Sequence, residues 1–137
     1  MLLTPKGFLQ VGGIVLILVG LLGAMGLIGP TSESIFGTAW YFDGAENWAH
    51  LVLGIVGLAA AFVLPANLQK GLVMLLGIVG VLVGLYSLTG AVPEGSTLLG
   101  AQLQNPADSL LHLIIGAWAL AASLKRREAA PAQMPQM

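Results

Sequence analysis

The chain has two histidines, and each follows a carboxylate by four positions: Glu46 before His50, and Asp108 before His112. Residues four apart share a helix face, so each pair sets an acid beside an imidazole. Four readings fit that pattern. Two histidines from neighbouring helices can supply both axial ligands of one haem, with Gly54 and Gly116, one turn further on, leaving room for the macrocycle. The two acids would then orient the ligating rings. Alternatively His50, His112, Glu46 and Asp108 hold one divalent metal, because mixed imidazole and carboxylate donors suit zinc, iron or manganese. Carboxylate–histidine pairs can also carry protons or line a solute path through a membrane. The fourth reading needs no ligand: each imidazole bonds its i−4 carboxylate or a loop carbonyl and closes one end of a helix bundle.

These four residues sit in two copies of one stretch. Residues 43–54 align without gaps to residues 105–116. Ala45/Ala107, His50/His112, Leu51/Leu113 and Gly54/Gly116 are identical, and Asp43/Asn105 and Glu46/Asp108 are close in type. A second alignment starts at Lys6/Lys70 and runs through Gly7/Gly71, Gly13/Gly77, Gly20/Gly84 and Gly26/Gly90. The repeating unit is therefore a pair of helices, used twice.

The composition says what those helices sit in. The 137 residues are 57% hydrophobic and 8% charged, with 19 glycines, against roughly a quarter charged in a soluble domain. Four apolar runs approach or reach the ~20 helical residues that cross a bilayer core. A transmembrane barrel would show alternating segments of about ten residues, and none occur. The fold class is an all-α integral membrane four-helix bundle, made of two tandem two-helix hairpins. Two spans per unit give both copies the same orientation, so a pseudo-twofold axis lies along the membrane normal, as in parallel-repeat transporters. His50 and His112 then lie at equal depth. A net charge of −1 leaves no basic footprint for nucleic acid. There is no cysteine, which excludes disulfides, thiolate metal sites and cysteine nucleophiles.

The spans are expected at about 7–28, 44–64, 70–88 and 106–125, within a domain over 1–128, followed by a disordered cytoplasmic tail over 129–137. Gly29-Pro30 stops the first span. Asp43 as N-cap with Glu46 at N3 forms a capping box at the second. Residues 66–69 form a short turn before the third. Asn105 as N-cap, Pro106 at N1 and Asp108 at N3 open the fourth. Trp40-Tyr41-Phe42 suits a bilayer interface. Glu46, His50, Gly54, Gly57 and Ala61 share one arc of their helix, and Asp108, His112, Gly116, Ala119 and Ser123 share the matching arc. Small residues let membrane helices approach closely, so the histidine face is expected to pack against helices rather than lipid. Gly80 and Gly84 suggest a further close crossing.

The stretches Asn105-Pro106-Ala107-Asp108, Leu111-His112-Leu113 and Gly116, with Asn47, His50, Leu51 and Gly54 on the second span, resemble a bacterial family of four-span membrane proteins catalogued as domain of unknown function 4383. The resemblance covers most of residues 6–125. It implies a multi-pass protein of a bacterial plasma (inner) membrane and supplies no activity.

Hydrolase, phosphate-loop, metalloprotease and dinucleotide signatures are missing from the sequence. The functional expectation is a small membrane protein without enzymatic activity and without a cofactor, an accessory or structural component. Its partners are the lipid bilayer and either another membrane protein or further copies of itself. A bis-histidine haem b or metal protein is the alternative, and a small transporter the next.

Cations set the orientation. Lys6, Lys70, Lys125, Arg126 and Arg127 all fall at one end of a four-span chain, while Glu33, Asp43, Glu46, Glu94 and Asp108 fall at the other. The positive-inside rule makes both termini cytoplasmic. Reporter fusions after Met137 and within 66–69 should therefore read cytoplasmic, and those after Ser32 and Gly95 external. An external signal from the Met137 fusion would refute this topology.

Overall fold

The computed structural model describes residues 2–30, 33–89 and 97–125. Within them the chain is helical, with four long helices and one isolated bridge, Leu98 with Ala101. The expected tail over 129–137, Arg126, Arg127, Glu94 and Gly90 lie outside the described residues. All four helices are long and apolar enough to cross a bilayer.

Helix α1 spans Pro5–Ala24. Thr4 caps it, its hydroxyl accepting from the Gly7 amide at 3.1 Å, and Pro5 occupies the first turn. The helix stops four residues short of the expected Ile28. Gly26 takes φ +82°, and the Gly26 and Leu27 amides fold back on the Gly23 and Leu22 carbonyls. This is a Schellman motif, which needs a left-handed residue just past the cap. Gly26, not Gly29-Pro30, is the terminator. The chain then turns back, with the Phe42 amide on the Ile28 carbonyl at 2.7 Å and a short 3-10 turn at Gly37–Ala39.

Helix α2 spans Gly44–Val63 and opens with the expected capping box: Asp43 Oδ1 accepts from the Glu46 amide, and Glu46 Oε2 from the Asp43 amide. Helix α3 spans Ala66–Leu88 and starts four residues earlier than expected. Residues 66–69 are its first turn, because the fixed φ of Pro65 suits a helix start. Buried Gln69 then reaches back, its Nε2 donating to the Ala61 and Leu64 carbonyls at 3.0 and 2.9 Å. It thereby caps the C-terminal end of α2. Helix α4 spans Ala107–Leu124, with Pro106 at the cap position. Asn105 is not the cap; its side chain turns to α3 instead.

α1 packs along α2 and α3 along α4, and the hairpins meet chiefly through α1. Both hairpins use the same glycine register. A Cβ on Gly13 would lie 2.9 Å from the Gly54 carbonyl oxygen, and one on Gly54 would lie 2.8 Å from the Gly13 oxygen and the Ile17 amide. In the second hairpin, Gly77 meets Leu120, and Gly116 meets Val81 and the Gly77 oxygen. These are the repeat-related partners, residue for residue. Gly20 against Leu51 and Gly84 against Leu113 continue the series. The buried positions repeat too: Glu46, Asn47, Gly54, Gly57, Ala60 and Ala61 on α2 correspond to Asp108, Ser109, Gly116, Ala119, Ala122 and Ser123 on α4.

Contacts at both ends fix the hairpins side by side in one orientation. At the lysine end, Phe8, Leu9, Ala60, Ala61, Val73, Ala119 and Ala122 form the apolar core. Phe8 packs edge-on to Trp118, whose indole donates to the Leu2 carbonyl. The side chains pointing outward are large and apolar, among them Ile14, Leu18, Ile55, Phe62, Leu82 and Ile114. Apart from Phe8, Leu9 and Val73, the buried positions are mostly small or polar and the outward ones large and apolar, as suits a bilayer.

Gly54→Ala and Gly116→Ala should each destabilise the protein by about 1–3 kcal/mol, the usual cost of overpacking a close contact. Gly71→Ala should be neutral or slightly stabilising, because a Cβ there meets nothing within 4 Å. Thermal unfolding in detergent measures all three. Equal effects at Gly71 and Gly54 would contradict this packing.

Candidate functional site at the histidine end

The first turns of α2 and α4 and the two connections that precede them make this end of the bundle. Each imidazole bonds within its own helix. His50 Nδ1 lies 2.7 Å from the Glu46 carbonyl oxygen, and His112 Nδ1 lies 2.7 Å from the Asp108 carbonyl oxygen. A carbonyl only accepts, so Nδ1 carries the proton in both rings. In the neutral tautomer each Nε2 then keeps its lone pair. Phe42 stacks on His50 with centroids 4.6 Å apart and planes 12° from parallel.

The expected pairing of carboxylate with imidazole does not form. The capping box draws Glu46 back toward the Asp43 amide, away from a histidine one turn further along. Asp108 likewise faces backward, to the Gln104 amide. A helical side chain leans toward the N-terminus, so each histidine meets the i−4 carbonyl before it meets the i−4 side chain.

The aspartates tie the hairpins together instead. Asp43 Oδ1 accepts from the Glu46 amide of its own helix, while Oδ2 accepts from the Gln102 amide of the other connection at 2.8 Å. Asp108 Oδ2 accepts from the Gln104 amide, while Oδ1 accepts from the Trp40 indole across the bundle at 2.8 Å. Trp40 and Gln102 occupy equivalent places in the repeat, three residues before Asp43 and Asn105. Each connection therefore donates to a carboxylate of the opposite hairpin. Trp40 and buried Phe42 turn into the bundle rather than lying on the membrane surface as a pure interfacial anchor. Trp48 is the exposed tryptophan of this end.

Gly54 and Gly116 leave no room for a macrocycle. The backbones of α1 and α3 occupy the space over them. Among the described residues, no three His, Asp or Glu side chains gather as a metal-holding set. His50, His112, Glu46 and Asp108 occupy one end of the bundle, with the acids directed to caps and ties.

Two further features were not anticipated from the sequence. Ser109 is fully buried: its hydroxyl donates to Asn105 Oδ1 at 2.6 Å and lies 2.9 Å from Ser87 Oγ. Asn105 Nδ2 donates to the Ser87 carbonyl at 2.6 Å. A lone serine in the apolar run of α3 was the available signal. The first hairpin has Gly23 and Asn47 at the corresponding places, and there Asn47 Oδ1 is buried without a partner. Glu46 Oε1 is the other buried side-chain oxygen without one among the described residues.

Comparison of the chain with protein families, curated proteins and solved structures finds no match. The family resemblance carried by Asn47, His50, Leu51 and Gly54 gains no support from it.

The Trp40–Asp108 bond joins a buried carboxylate to an indole donor, and hydrogen bonds to charged groups contribute about 1.5–3 kcal/mol. A double-mutant cycle with Trp40→Phe and Asp108→Ala should return a coupling energy of that order in thermal or denaturant unfolding. Strict additivity of the two single variants would show that the bond does not hold the hairpins together.

Proposed function

We propose that this chain is a non-enzymatic accessory or structural protein of a bacterial inner membrane, with both termini cytoplasmic and the histidine end external. The observation that carries the reading is how the polar groups of that end are used. Asp43 and Asp108 each serve two amide or indole donors, one local and one from the other hairpin. His50 and His112 bond backbone of their own helices. The groups that could move protons or hold ligands serve mainly to close the bundle. Buried polar groups are costly unless bonded, so this use accounts for acids and imidazoles in a chain otherwise so apolar. The orientation rests on the placement of Lys6, Lys70 and Lys125 at the opposite end from the acids.

One observation favours a second reading, the binding of a haem or metal by His50 and His112. A ligating histidine commonly donates its other ring nitrogen to a backbone carbonyl, which fixes tautomer and orientation. Both histidines here are held that way, at equivalent positions.

The absorption spectrum and metal content of detergent-purified protein from haem-replete cells separate the two. The structural reading expects colourless, metal-free protein whose melting temperature falls in both His50→Ala and His112→Ala. A Soret band or stoichiometric metal in the wild type that disappears in both variants would replace it with the cofactor reading.

A further inference from the structure

Gln10 is a polar side chain of a membrane span that the bundle itself does not use. It lies in α1, one turn past Lys6, and so about 6 Å deeper at 1.5 Å per residue. Its amide offers two donors and an acceptor, and no described residue bonds any of them. The side chain is only partly buried. The repeat shows which way the position faces: Gln10 aligns with Met74 of α3, an outward side chain 40% exposed. An amide set toward lipid without a partner is costly. The methionine at the equivalent place shows that the fold needs no amide there.

The surface around Gln10 has a pattern. Gln10, Ile14, Ile17 and Leu21 follow at spacings of four, three and four residues, the spacing of a coiled-coil seam. At ~100° per residue they share an arc of about 60°. Ile14 and Leu21 point outward, 49% and 44% exposed, while Ile17 also touches α2 beside Gly54.

We propose that this stripe of α1 is a homodimer seam, on which a second copy of the chain packs in parallel with the two Gln10 amides bonded across a twofold axis. Amide chemistry selects the occupant. The pairing rests on one orientation for all copies, and a twofold along the membrane normal then brings both Gln10 side chains to the same depth. Each amide there meets a donor and an acceptor that match its own. A lipid chain offers neither, and an apolar partner helix would leave the amide unsatisfied. The seven-residue register sets Ile14, Ile17 and Leu21 against their own counterparts along the same line. A polar residue at one seam position also fixes the register, because sliding a helix by one turn would strand both amides. The pairing is independent of what His50 and His112 hold.

The chain has no cysteine, so a single introduced thiol reports alone. Ile14→Cys and Leu21→Cys would be oxidised with a copper catalyst in membrane vesicles from expressing cells. Val15→Cys and Leu22→Cys serve as controls, outward but about 100° round the helix from their seam neighbours. A disulfide needs Cα atoms within about 7 Å, which the seam provides and the controls do not. Linked dimer of twice the chain mass should form at Ile14→Cys and Leu21→Cys and stay near background at the other two. In micelles, sedimentation equilibrium should show roughly three- to ten-fold weaker dimerisation for Gln10→Leu, the factor given by one hydrogen bond between membrane helices. Gln10→Asn should restore most of it. In dilute detergent, where the chain is monomeric, Gln10→Leu should melt no lower than wild type, because the amide has no partner within the chain. Equal linkage at all four positions, dimerisation undiminished by Gln10→Leu, or a lower melting temperature of that monomer would overturn the proposal. Linkage to a protein of different mass in place of the dimer would overturn the second copy as the occupant.

Discussion

Backbone contact between helices is the constraint on which this structure depends. In a bilayer, apolar side chains gain little by leaving lipid for protein, so helices are held by close packing and by hydrogen bonds between them. Gly13 with Gly54, and Gly77 with Gly116, bring two pairs of backbones within reach of each other. Once those contacts are set, most large apolar side chains of the four helices point outward, Leu9 and Val73 of the core apart. The rotation that puts Gly54 and Gly116 against their partner helices also buries Glu46 and Asp108 about two turns earlier on the same faces. Those acids are then committed to an end of the bundle where every unpartnered polar group is costly.

The histidine end can be understood as the answer to that cost. A helix start leaves amides without intrahelical acceptors, and a connection between membrane helices adds more. Asp43, Glu46 and Asp108 supply acceptors for amides of both kinds. The imidazoles find theirs on the preceding turn of their own helices, using the second lone pair of a carbonyl already engaged in the helix. The arrangement falls short at Glu46 Oε1 and Asn47 Oδ1, neighbours in sequence in the first turn of α2.

The fold was legible in the sequence because its determinants are local in pattern. Four apolar runs, a glycine register that recurs on both helices of each hairpin, and the Asp43–Glu46 capping box are all visible in one dimension. What was not legible depends on direction and distance. Spacing put Glu46 and His50 on one face but could not say that the cap would claim the carboxylate. The glycines after the histidines looked like space beside a ligand, whereas they are contacts with a neighbouring backbone. Gly26 went unrecognised as a terminator because Gly29-Pro30 is the stronger signal in sequence, and only the left-handed backbone at Gly26 distinguishes them. Gln69, Ser87 and Trp40 act across the bundle on partners between 5 and 68 positions away, which no periodicity encodes.

The crossed ties at the histidine end have the form of an isologous interface. Each hairpin presents both an acceptor and a donor to the other, and equivalent positions, Trp40 and Gln102, supply the two donors. Surfaces of that kind are self-complementary, the type that closes a twofold dimer. Here only the donors are equivalent: the acceptors Asp43 and Asp108 stand at different places in the repeat, so the join is quasi-symmetric rather than a strict self-match. The Leu64-Pro65 link between α2 and α3 makes the two halves one chain. It fixes the two halves at one-to-one stoichiometry and frees each to change alone, as the contrast between Gly23 with Asn47 and Ser87 with Ser109 shows.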